Sequence, residues 1–178
     1  MGLREIKKEL QNFDKAQLIE LIVELYGKDK MTKDYMNFFM NPDEEALLEK
    51  FKERVSKPFL KARGYRIKTS AAKSALTEFK KYGVTPSAVI QLHLCFVEAG
   101  IIRSRDVAVM RPAIYKALAA AYHSALILID KEGLHRDFKA QALEMLLDAY
   151  QFDRDFYLAL RESFAVNFHE EPPRPSRR

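Results

Sequence analysis

Apolar residues recur three and four positions apart along almost the whole chain, and no stretch alternates steadily between apolar and polar. That periodicity restricts the chain to helices more firmly than any other feature it has. Leu3, Ile6 and Leu10 mark a first short helix, and Asn12-Phe13-Asp14 interrupts it. Asp14 with Gln17 three positions on is a capping-box pattern. The helix that follows carries Leu18, Ile19, Leu21, Ile22, Val23 and Leu25 and is expected to end at about Tyr26, with Gly27 closing it. A face that wide predicts burial on more than one side. A third helix carries Met31, Tyr35, Met36, Phe38 and Phe39.

Later boundaries are read from caps and breakers. In Asn41-Pro42-Asp43-Glu44-Glu45, Asn41 reads as the cap, Pro42 as the first helical residue, and the acids as complements to the dipole. That helix presents Ala46, Leu47, Leu48, Phe51 and Val55 and is expected to stop before Pro58. A fifth helix runs from Thr69 or Ser70 to Tyr82, closed by Gly83. Thr85-Pro86 opens a sixth, which Gly100 is expected to end. Pro112 opens a seventh that ends near Gly133; an eighth covers about Arg136–Tyr150 and a ninth about Asp153–Val166. The fold class expected is all-α, an irregular bundle or short stack of eight to nine helices without a sheet. It is read as a single domain over 1–168. A disordered tail is expected over 169–178, where Pro and Arg leave nothing to bury.

At 178 residues, with 48% hydrophobic residues, such a chain can bury roughly 70% of its unfolded surface without disulfides. Cys95 is the sole cysteine, which fits a reducing compartment. Charges break up the N-terminus too often for a signal peptide. The most apolar stretch, Ala117–Ile129, is read as too short to span a bilayer. The cytoplasm is the expected location.

The combination Asn41-Pro42-Asp43, Leu47-Leu48-Glu49-Lys50-Phe51-Lys52, Gly64-Tyr65, Ser70-Ala71-Ala72-Lys73, Gly83-Val84-Thr85-Pro86 and Phe96-Val97-Glu98 resembles an uncharacterised family of small bacterial helical proteins, one carrying a domain-of-unknown-function label. The resemblance extends to about Asp148. It implies a bacterial, cytoplasmic, all-helical protein and brings no activity with it.

Chemistry-bearing motifs are sparse. Glu132-Gly133-Leu134-His135 has the E-x-x-H spacing of di-iron bundles but no second copy. His169-Glu170 lacks the second histidine of a zincin motif. His93 and His123 sit in apolar helices and read as structural, so no metal and no cofactor is expected. Cys95, among Leu94, Phe96 and Val97, reads as an inert thiol. The Leu3–Tyr26 pair shares apolar spacing and Lys7-Lys8 with the SAP-type DNA-binding motif but lacks its turn glycine, so a plain helical hairpin explains it better.

One segment breaks a local rule. Between 57 and 81 lie Lys57, Lys61, Arg63, Arg66, Lys68, Lys73, Lys80 and Lys81 against the single acid Glu78, a charge of +7 in a chain of net +5. Cations at the start of the fifth helix oppose its dipole. Arg66, Lys68, Thr69, Ser70 and Lys73 could instead hold an anion at the free N–H groups there. The bland alternative is a solvated basic face, paired with acids such as Glu49 or Glu53. The leading expectation is a non-catalytic protein-interaction module whose partner is another protein. The alternative is a protein binding nucleic acid or a phosphate-bearing ligand through the 57–81 segment. No membrane partner is expected.

Overall fold

The structure, a computed structural model, describes residues 2–60, 67–106 and 110–174. Among them are nine α-helices and no strand: α1 Leu3–Leu10, α2 Lys15–Lys28, α3 Lys30–Met40, α4 Glu44–Leu60, α5 Ser70–Lys80, α6 Pro86–Asp106, α7 Pro112–Glu132, α8 His135–Ala149 and α9 Arg154–Phe168. The all-helical expectation holds. The chain divides into two compact units, Met1–Asp43 and Glu44–Arg178.

The first unit is held by caps rather than by a core. Asp14 accepts from Gln17 N at 2.8 Å and Gln17 Oε1 accepts from Asp14 N at 2.9 Å, the capping box read from sequence. Gly27 does not stop α2, which runs through it to Lys28. The break comes at Asp29, extended at φ −147°, whose carboxylate accepts from Met31 N at 2.8 Å and Thr32 N at 3.0 Å. Asp29 thus restarts the chain as α3. Tyr26 donates its hydroxyl to Asn37 Oδ1 at 3.1 Å, tying α2 to α3. No residue of α1, α2 or α3 is buried. The expectation that α2 is covered on more than one side is therefore overturned.

The second unit is built around α6, which packs against α4, α5, α7 and α8, while α9 closes over α7 and α8. Its core includes Phe51, Phe59, Phe79, Phe96, Leu118, Tyr122, Leu126 and Phe164, each essentially without solvent exposure. Edge-on and tilted ring pairs knit the layers: Phe51–Phe79 at 5.1 Å and Phe59–Phe96 at 5.4 Å between centroids. α4 starts at Glu44, not at Pro42, because Asn41 ends α3 with φ −143° and ψ 79°. Glu44 instead receives Thr85 N and Oγ1, each at 2.6 Å, beside the start of α6.

Packing overrules two breakers. α4 continues past Pro58 to Leu60, since the turn that includes the proline also delivers Phe59 to the core. α6 continues past Gly100 to Asp106. There the glycine serves a close approach: a Cβ at Gly100 would lie 2.6 Å from Leu118 Cδ2.

α6 and α7, each 21 residues, are long and apolar enough to cross a membrane. This corrects the reading of Ala117–Ile129 as too short, because the helix extends well beyond it. Their most apolar windows are 67% and 50% buried within the protein, so these apolar faces already contribute to the core. At the far end, the described part of the expected tail is docked. Glu170 pairs with Lys139 at 2.7 Å, Glu171 pairs with Arg161 at 2.5 Å, and Pro172 is buried.

Candidate functional site

The described cations of the basic segment lie on α4 and at both ends of α5. Lys57 lies exposed in the last turn of α4. Lys68 and Lys73 are exposed at the start of α5, and Lys80 and Lys81 at its end. At 1.5 Å rise per residue the two ends of that 11-residue helix are about 16 Å apart. Arg66, with Lys61 and Arg63, lies outside the described residues.

The α5 start itself is unusual. Thr69 occupies the cap position but has helical dihedrals, φ −81° and ψ −7°, and its side chain makes no cap hydrogen bond. Neither Thr69 nor Ser70 therefore caps as expected, and no acid occupies the first turn. Among the described residues no ion pair engages Lys68 or Lys73. Glu49, one of the acids suggested as a partner, pairs with Lys52 at 2.7 Å. Glu78 is engaged by Arg54 through two bonds of 2.9 and 2.7 Å, which hold its carboxyl below the usual range.

The α2–α3 hairpin presents the other candidate surface. On α2, Ile19, Ile22, Val23 and Tyr26 follow one helical stripe; on α3, Met31, Tyr35 and Phe39 follow another. All seven are exposed, Val23 at 64% and Phe39 at 66%. The sequence shows both sets of residues, and for α2 it suggested burial instead of exposure.

The histidines separate into distinct environments. His93 is buried in α6; its Nδ1–H donates to Ala121 O at 3.2 Å and its Nε2 has no partner. Burial, helped by the charge of Lys80, pushes its pKa down to about 4. His123 is exposed, 3.1 Å from Ser163 Oγ. His135 and His169 both approach Asp130, a grouping the sequence reading did not make. Their separation of 34 residues carries no motif; only the five-residue step from Asp130 to His135 across Gly133 hints at it.

Cys95 is half-buried rather than enclosed in the core. It lines an open cleft of about 270 Å³ with Lys52, Gln91, Glu98, Phe138 and Gln141. Burial pushes its thiol up, while the Ser56 hydroxyl 3.4 Å away only partly opposes that. A thiol held protonated is a poor nucleophile.

The fold and these surfaces define an all-α protein with an exposed apolar hairpin and a helical unit with its own core. More narrowly, the chain belongs to the family of unknown function DUF6155, whose model matches residues 1–158. No curated protein and no solved structure matches the chain. The resemblance drawn from the segments between Asn41 and Glu98 is thereby upheld at the level of family.

Proposed function

We propose that the protein is a non-catalytic interaction module that docks a partner protein on the α2–α3 hairpin. One observation carries this reading: α1, α2 and α3 bury no residue, yet display Ile19, Val23, Tyr35 and Phe39 on continuous stripes. Contiguous exposed apolar surface of this kind marks interaction sites. Helix-in-groove recognition uses the same i, i+3, i+4, i+7 pattern of anchors. A cytoplasmic setting accompanies the proposal, supported by the free thiol of Cys95; a bacterial one rests on the family resemblance alone.

A second reading, binding of nucleic acid or a phosphate-bearing ligand, rests on the uncapped α5 start with Lys68, Thr69, Ser70 and Lys73. Partner capture from cell lysate on the immobilised full chain separates the two. A hairpin-docked protein survives nuclease treatment and raised salt, and is lost with Ile19→Glu/Val23→Glu. Capture that disappears with nuclease, or falls steeply with salt, favours the phosphate reading. Capture unchanged in the double variant rules out the hairpin as the docking face.

A further inference from the structure

Three helix ends meet in the second unit. Asp130 lies in the last turn of α7, and Gly133, in the left-handed region at φ +69°, turns the chain back. His135 is then the first residue of α8. His169 caps the C-terminus of α9 at φ +54°, the only non-glycine among the described residues with positive φ. Glycine fills such a cap at least cost. Histidine at this cap brings an imidazole over Asp130.

The resulting geometry has the dimensions of a coordination site. His135 Nε2 and His169 Nε2 each lie 3.2 Å from Asp130 Oδ1. The three donor atoms fall within 4.8 Å of one another. Charge-assisted N–H···O bonds prefer about 2.7–2.9 Å. Donors about 2.0–2.1 Å from a tetrahedral zinc stand roughly 3.3 Å apart, close to both observed separations.

We propose that Asp130, His135 and His169 bind a divalent transition metal of the zinc class. Two imidazole nitrogens and one carboxylate oxygen suit zinc and its late first-row neighbours; calcium and magnesium call for oxygen ligands throughout. The Asp130 side chain is 40% exposed and that of His169 71%, so the remaining coordination position opens to water. Three protein ligands with one open position is the arrangement of exchangeable or catalytic zinc. His135 Nε2–H donates to Asn167 O at 3.0 Å. Metal binding requires that nitrogen's lone pair, so the ring proton moves to Nδ1 and that hydrogen bond is exchanged for a metal bond. The proposal departs from the expectation, drawn from the sequence, that no metal binds.

The test is calorimetric titration of Zn²⁺ into the untagged full chain after chelator treatment. One saturable site is expected, with a melting temperature that rises as the metal is added. His169→Ala and Asp130→Asn, both at exposed positions, should each weaken binding at least tenfold, while His123→Ala leaves it unchanged. Cobalt(II) should give visible absorption bands with the parent chain that His169→Ala abolishes. If the parent shows no saturable binding, or if His169→Ala binds zinc as the parent does, the three side chains form a hydrogen-bonded cluster only and the proposal fails.

Discussion

The two units are made of the same kind of helix, yet they use their apolar residues in opposite ways. In α6 the residues Ile90, Leu92, Leu94, Phe96 and Val97 are all enclosed. In α2 the comparable run of Ile19, Ile22, Val23 and Leu25 faces outward. α2 even has the better cap, the reciprocal Asp14–Gln17 box. Amphipathic pattern thus defines a helix and its sticky face, whereas burial depends on how many neighbours are available to cover that face. A hairpin of two helices cannot surround a side chain; α6, with four neighbours, can.

The comparison breaks most sharply on matched truncations. Phe96→Ala removes a fully enclosed ring and should cost about 3–5 kcal/mol. Phe39→Ala removes a ring that is 66% exposed and should cost about 0.5 kcal/mol or less. Denaturant melts of both variants measure the gap. Equal losses would mean that the hairpin is covered in solution.

Acid should act on the enclosed region through His93. Unfolded, its ring takes up a proton near pH 6.5; folded, only near 4. Between those values the unfolded state binds more protons, so stability is full above about 6.5 and declines as pH falls towards 4. The decline attributable to this ring is about 3 kcal/mol. His93→Asn places an amide N–H where Nδ1 stands, so it keeps a donor for Ala121 O but does not titrate. Its melting temperature should therefore drop less than the parent's across that window, and parallel curves would remove His93 as the cause.

The smallest expected effect lies at the α5 start. Lys73→Glu places an acid where the helix dipole favours one, and should stabilise the anion-free chain by about 0.3–1 kcal/mol. Phosphate should raise the parent's melting temperature more than chloride does at equal ionic strength, and the variant should lose that difference. Strong destabilisation by Lys73→Glu would identify a structural ion pair instead.

Local chemistry was the legible part of the fold. The cap at Asp14, the Thr85-Pro86 start and the Gly133 stop all act through neighbours in the chain, and all are where the sequence puts them. Gly27, Pro58 and Gly100 were misread as stops. A glycine inside a helix costs only about 1 kcal/mol, and burying Phe59 beside Phe96 offsets the proline. Such offsets depend on distant partners that a single sequence does not display. The basic segment was equally visible, and so were its positions at the two ends of α5; that Thr69 makes no cap bond there was not. Asp130, His135 and His169 converge only because three helices end together, so no spacing rule could have joined them.

The contact between Gly100 and Leu118 carries a consequence for how this family varies. With no Cβ at position 100, the Leu118 side chain occupies the space one would need. The two positions are therefore coupled: a chain with alanine at 100 needs a smaller side chain at 118, or a wider gap between α6 and α7. Across relatives, substitutions at these sites should appear together, with the small residue free to change sides. A Gly100→Ala change that is damaging alone should be rescued by Leu118→Ala or Leu118→Val, although each step by itself lowers stability.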